Sequence, residues 1–237
     1  MIKVSKSYVG ALEKKYVNKV LDVGFLGMGN ETIKFEKMLE IFFDRHVACV
    51  SSGTAALQLA LQAHDIKKGD EVIVSTLTFV ASFQAISALG AIPVPCDVDI
   101  EDLTITIEHI KKKINTKTKA IIPIHLGGHV GKLDEIYKFA KKNNLKVIED
   151  AAHAFGTIYK NNKIGSYGDT ICFSFDGIKN ITSGEGGCVV SNNIDYINRI
   201  KSLRRLSLIP NNTKKKFYPF DVNEQGWRYH MRDIMAA

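Results

Sequence analysis

Short apolar runs alternate with longer stretches of mixed polar and apolar character through most of the chain. The runs predict strands over Val47–Val50, Glu71–Ser75, Ile92–Cys96, Ala120–Ile124, Lys146–Glu149, Thr170–Ser174 and Gly187–Ser191. The amphipathic stretches predict helices over Gly10–Val23, Glu31–Phe43, Thr54–Ala63, Ser82–Ala88, Ile107–Lys113, Lys132–Asn143 and Asp195–Leu206. A helix separates most consecutive strands, which predicts an α/β fold with a mostly parallel seven-stranded sheet and helices on both faces. The last two strands differ, with only the turn-rich segment Phe175–Gly186 between them. The stretch Pro210–Gln225 is polar and basic and reads as a long loop. Asp233–Ala237 looks like the opening of a helix, and a helix that opens without an end suggests a truncated chain.

Composition narrows the function classes. A hydrophobic fraction of 45% in 237 residues is ordinary for a globular protein. No run of about 18 apolar residues occurs, so no membrane span is expected. The opening Met1-Ile2-Lys3-Val4-Ser5-Lys6 lacks the apolar core of a signal peptide, and a cytoplasmic location is the expectation. The net charge of +7 raises a nucleic-acid partner as an option. The lysines are scattered, however, and the runs Lys111–Lys113 and Lys214–Lys216 read as a solvated face or loop, so none is expected. A mild positive field also suits an anionic small substrate. Cys49, Cys96, Cys172 and Cys188 each lie in or beside an apolar run without C-x-x-C spacing, which points to buried free thiols rather than to zinc.

Three segments carry chemistry. Ser51-Ser52-Gly53-Thr54-Ala55-Ala56-Leu57 follows a strand and opens a helix, where small residues and free N–H groups suit a phosphate. A plain N-cap by Ser52 or Thr54 reads equally well. Ile148–His153 ends another strand, and a carboxylate there, Asp150, points into the crevice where parallel sheets bind ligands. Pyridoxal chemistry needs such a carboxylate against its ring nitrogen, and His153 on the next turn stands within reach of a phenolic oxygen. In isolation the Asp reads as a helix cap and the His as a packing residue. Phe173–Asn180, followed by Gly184-Glu185-Gly186-Gly187, sets Lys179 in a turn with a close-packed exit, the setting a Schiff-base lysine requires. Alone, Lys179 reads as a surface lysine.

In that order the segments resemble the DegT/DnrJ/StrS family of pyridoxal-5′-phosphate (PLP)-dependent sugar aminotransferases. Ser51–Leu57 is similar to the family's phosphate turn, Glu149–Gly156 (EDAAHAFG) to its Asp motif, and Cys172–Asn180 (CFSFDGIKN) to its lysine motif. The resemblance runs from about Gly10 to Ala237 and implies the large domain of a fold-type I PLP enzyme. It implies Lys179 and Asp150 as catalytic residues. Gly53, Thr54, Ala55, Phe79, His153, Ser174 and Arg228 join them in binding PLP, with Phe79 stacked on the ring. Arg228 stands where the family usually has Asn, which reaches the phosphate in the neighbouring subunit. Val23–Gly29 (VGFLGMG) resembles the segment bordering the sugar-nucleotide site.

The domain organisation implied is an N-terminal helix and substrate-bordering segment over 1–30, a PLP-binding domain over 31–208, and a loop over 209–237 leading to a smaller C-terminal domain. The implied activity is amino transfer from an amino acid such as glutamate to a nucleotide-linked keto-sugar, of the 4-keto-6-deoxy type, in a homodimer. A PLP-dependent sugar dehydratase of the same family is the alternative, disfavoured by Lys179 because those enzymes replace the lysine with histidine. A non-catalytic PLP- or nucleotide-sugar-binding fragment is another.

Overall fold

The computed structural model describes residues 6–210 and 220–237. In chain order its elements are α1 (Ala11–Val23), α2 (Asn30–Phe43), β1 (His46–Val50), α3 (Gly53–Ala63), β2 (Glu71–Ser75), α4 (Val80–Ser87), β3 (Ile92–Cys96), α5 (Ile107–Lys111) and β4 (Thr118–Ile122). There follow α6 (Leu133–Lys142), β5 (Lys146–Asp150), β6 (Ile158–Tyr159), β7 (Asn162–Lys163), β8 (Thr170–Ser174), β9 (Gly187–Ser191), α7 (Ile194–Leu203), β10 (Leu208–Pro210), β11 (Phe220–Val222) and α8 (Asp233–Ala236).

Seven strands form one sheet in the order β1-β9-β8-β5-β4-β2-β3. Neighbours from β8 through β3 pair in parallel, while β9 is antiparallel to both β8 and β1. Parallel pairing needs a crossover, and every parallel neighbour here has one. The helix-free segment between β8 and β9 has no such crossover, so β9 runs against the rest. At the opposite edge, β3 carries Pro93 and Pro95, which lack the N–H groups a further strand would require.

The alternation along each strand sorts the core into two faces. Val50, Val74, Ile122, Ile148 and Val189 meet α3, α4 and α7 through Leu57, Leu61, Ile86, Ile197 and Leu203. On the other face Val47, Cys49, Phe173 and Val190 meet α2 through Leu39 and Phe43. Ile73, Ile121 and Val147 meet α5 and α6 through Ile110, Ile136 and Ala140. All four cysteines are buried free thiols, as their apolar settings predict. Among the described residues no helix is long and apolar enough to cross a membrane.

The ends of β4, α4 and α5 are shifted from those expected, and three larger departures from the sequence pattern stand out. The predicted Pro210–Gln225 loop contains strand β11, paired antiparallel with β10; its Lys214–Lys216 run lies outside the described residues. The two-residue strands β6 and β7 form a hairpin that the pattern does not predict, turning at Lys160 and Asn161, both with positive φ. The helix expected to reach Leu206 stops at Leu203, because Leu206 and Ser207 have left-handed backbones.

Beyond β11 the chain becomes a strap tied by side chains. Glu224 takes two bonds from Arg199 of α7, each 3.0 Å. Trp227 Nε1 donates to Gln62 Oε1 at 2.8 Å, and Tyr229 Oη to Gln58 Oε1 at 3.2 Å, both on α3. The strap ends at Asp233, whose carboxylate accepts from the Gly29, Glu31 and Thr32 amides and the Thr32 hydroxyl at the start of α2.

Candidate active site

A cleft of about 820 Å³ opens where β2, β4, β5 and β8 end and α3 begins. Each strand hands it a segment: Leu77–Phe79 after β2, Ile124–Leu126 after β4, Asp150 and His153 at the end of β5, and Ser174 to Lys179 from β8. Ser52, Gly53 and Thr54 form the wall at the head of α3.

The turn at Ser52 forms the N-cap and leaves two amides over. Ser52 is extended and its Oγ accepts from Ala55 N at 3.1 Å, an ordinary N-cap. The amides of Gly53 and Thr54 come earlier in the helix than any intrahelical acceptor can reach, so both remain available at the cleft. Gly53 is fixed by close approach, since a Cβ there would stand 2.8 Å from Ser174 Cβ. Ala55 does not line the cleft: it is buried, and its amide is spent on Ser52.

Asp150 is 7% exposed, with both oxygens engaged. Oδ2 accepts from Ser82 Oγ at 2.8 Å and Oδ1 from Ala152 N at 3.2 Å. Ser82 Oγ in turn lies 2.8 Å from Thr78 Oγ1. His153 Nδ1 accepts from Gly127 N at 3.2 Å, so its proton sits on Nε2. Burial, and then the charge of Lys179, hold the His153 pKa below the ordinary histidine value against the opposing pull of Asp150. The imidazole is therefore neutral at neutral pH.

Lys179 is half-buried in the loop after β8. That loop is fastened by Lys179 N to Asp176 O at 3.0 Å, Asp176 N to Ser174 Oγ at 3.3 Å and Asn180 Nδ2 to Phe155 O at 2.9 Å. Among the described residues no carboxylate lies within 4.0 Å of its amine. Phe79 stands on the rim, 73% exposed, with a ring free to stack. Arg228 is exposed and outside the cleft, and an antiparallel bridge pairs it with Arg205. The Val23–Gly29 segment does not reach the main cleft either; Val23, Phe25 and Gly29 line a separate hollow of about 410 Å³ with Lys19 and Lys34.

The structure thus brings together Gly53, Thr54, Phe79, Asp150, His153, Ser174 and Lys179, and leaves Ala55 and Arg228 outside. Ser82 and His125 join the site without a sequence signal that marks them. The arrangement fits PLP: two free amides and a serine hydroxyl for a phosphate, an exposed aromatic ring, a buried carboxylate and an amine unpaired by any acid. Fold and site together define the large domain of a fold-type I PLP-dependent enzyme.

Residues 8–237 match the sequence profile of the DegT/DnrJ/EryC1/StrS aminotransferase family, and the chain belongs to that family. PLP is the cofactor of the family. The chain is 44% identical over 227 residues to a GDP-perosamine synthase of Escherichia coli O157:H7, covering 95% of this chain and 61% of that one. It superposes on the crystal structure of the aminotransferase TlmJ from Streptoalloteichus hindustanus with a TM-score of 0.92 at 30% identity, over 100% of this chain and 64% of the other. Spr1654 from Streptococcus pneumoniae in its PLP form matches with a TM-score of 0.89 at 28% identity, over 99% and 64% of the two chains. The chain spans about six tenths of the length of the curated relatives it matches.

Proposed function

We propose that this chain is the cofactor-binding part of a cytoplasmic, homodimeric aminotransferase. It transfers an amino group from an amino acid such as glutamate to a nucleotide-linked keto-sugar of the 4-keto-6-deoxy type. One observation carries the reading: Lys179, Asp150 and the free amides of Gly53 and Thr54 converge on one cleft from three separate parts of the sheet. Similarity to a GDP-perosamine synthase supports a nucleotide-linked sugar as the substrate.

The roles follow from position and chemistry. The Gly53 and Thr54 amides and Ser174 Oγ would hold the phosphate at the positive end of α3. Phe79 would cover one face of the ring. Asp150, held by Ser82 and Ala152, would meet the pyridine nitrogen and keep a proton there. His153 would donate from Nε2 to the phenolic oxygen. When bound, PLP supplies an electron sink for the substrate carbon. Lys179 Nζ would hold the cofactor and, when free, would carry the proton on and off that carbon. Arg228 faces away from Trp227 and Tyr229, which pack on the core, so it is free to reach the phosphate in a second copy's cleft.

Borohydride reduction of the PLP-loaded full-length protein, followed by peptide mapping, tests the reading. The pyridoxyl label is expected on Lys179; a label on Lys160 or Lys163 overturns the assignment. A dehydratase would instead leave a deoxy keto-sugar that carries no amino group, so the product tells the two activities apart. Sedimentation tests the assembly, and a strictly monomeric protein that holds PLP tightly would remove the role of Arg228.

A further inference from the structure

Directly below the cleft lies a buried polar set that the roles above leave unused. Glu149 precedes Asp150 on β5, so its side chain leaves the opposite face of the sheet. It is 1% exposed in an otherwise apolar layer. Tyr137 of α6 donates to its Oε1 at 2.5 Å, and His125 Nε2 lies 2.8 Å from its Oε2. The Asp169 amide donates to Tyr137 Oη at 3.0 Å, and the Arg45 guanidinium, bonded to Gly168 O at 2.7 Å, adds positive charge nearby. Gly168 leaves room for the set, because a Cβ there would collide with both Tyr137 Oη and Glu149 Oε1.

A carboxylate this deep is stable only with donors on its oxygens, and each oxygen has one. Burial first, then Glu149, push the Tyr137 phenol well above its usual range, so it stays a donor. The partner on the other oxygen must then be a donor as well, which puts the His125 proton on Nε2. His125 is the member of the set that belongs to the cleft lining: it is 2% exposed, its backbone amide bonds Asp150 O at 3.0 Å, and its Nδ1 has no hydrogen-bond partner among the described residues yet is not sealed from solvent.

We infer that His125 is a further ligand-contacting residue of this cleft, whose bare Nδ1, fixed by Glu149 and Tyr137, accepts a hydrogen bond from an O–H or N–H group of the bound cofactor or substrate. The geometry is that of an orienting acid behind an imidazole: the carboxylate sets the tautomer, and the far nitrogen meets the ligand. The inference rests on the PLP reading for what occupies the cleft. Glu149→Gln keeps one acceptor oxygen, which the Tyr137 phenol claims, and sets an NH2 donor against His125 Nε2, so it should move the ring proton to Nδ1 and turn an acceptor into a donor without emptying the layer.

Ring nitrogen-15 spectra of the histidine-labelled full-length protein test it, with His125 assigned from the signal missing in His125→Gln. In the unliganded protein Nε2 should be protonated and Nδ1 bare, and addition of PLP, or of glutamate to the PLP-loaded protein, should shift Nδ1. Glu149→Gln should populate the other tautomer. In turnover, His125→Gln should lower kcat/KM for glutamate or the sugar by about tenfold, the worth of one lost hydrogen bond, and change its pH profile while Lys179 still takes the pyridoxyl label. A proton on Nδ1 in the unaltered protein overturns the inference even if Glu149→Gln fails to fold. So does an Nδ1 signal unmoved by both ligands in a protein labelled on Lys179. Failure of PLP to label Lys179 at all overturns the function reading instead, and with it the ligand this inference assumes.

Discussion

Helices α2 and α3 begin in the same way and end up with opposite fates. Each presents free amides and the positive end of its dipole after a small-residue turn. At α2 the need is met from within the chain. Asp233, 5% exposed, accepts from Gly29 N at 2.8 Å, Thr32 N at 3.0 Å, Glu31 N at 3.2 Å and Thr32 Oγ1 at 2.8 Å. Burial pushes that carboxyl up, but the amides and hydroxyl outweigh it and hold its pKa below the usual carboxylate value. At α3 only Ser52 answers, for one amide, and the others face the cleft. A helix start saturated by its own protein is structure; one left half-answered beside an amine and a buried carboxylate is a binding site.

The contrast can be broken from either side. Gly53→Val should have the largest effect, because its side chain enters the space of Ser174. PLP affinity should fall roughly a hundredfold, about 3 kcal/mol, in a spectrophotometric titration, and the same crowding should lower the melting temperature. Asp233→Ala should keep PLP affinity and lower urea stability by about 2 kcal/mol.

Acid should separate the two helices next. His64 caps the far end of α3, its Nε2 lies 2.8 Å from Thr170 Oγ1, and burial, then Lys146, lower its pKa from 6.5 to about 4. The folded state keeps this ring neutral while the unfolded state protonates it. Stability therefore falls as pH drops from 6.5 to about 4, by an amount on the order of 2–3 kcal/mol. Asp233 behaves as a depressed carboxyl: its contribution is present above 3.8 and is lost only as pH falls further, through its folded value. Urea titrations across this range should show the first slope vanish in His64→Gln and the second in Asp233→Asn. The smallest effect is expected from Ser52→Ala, about 1 kcal/mol of stability with PLP affinity retained.

What was legible in the sequence was local. Each strand of the main sheet is a short apolar run bounded by turn residues, and Gly53, Asp150 and Lys179 sit at strand ends that such runs reveal. The β6–β7 hairpin escaped because two-residue strands carry no periodicity, and Lys160-Asn161 turns without a glycine. Other site features escaped because they are made across distance. Ser82 meets Asp150 over 68 positions, His125 meets Glu149 over 24, and Asp233 meets Thr32 over 201. No spacing within one segment encodes such pairs. Ala55 lies off the cleft lining for a local reason: its amide is taken by the Ser52 cap.

The position of β1 at the sheet edge has a consequence for how the chain is made. Within the main sheet β1 pairs only with β9, from His46 against Ser191 to Val50 against Gly187. At ribosomal speed the β9 residues emerge roughly 7–30 s after those of β1. Through that interval the apolar run Val47–Val50 has no strand to join, and Gly53 has no Ser174 to rest against until β8 arrives. β2 through β5 can associate earlier, since each finds its neighbours nearby in the chain. The nascent protein therefore completes the Asp150 wall of the cleft first and the phosphate wall last, and a ribosome stalled before Gly187 would display a half-sheet with an unclaimed hydrophobic strand, the kind of segment that chaperones hold.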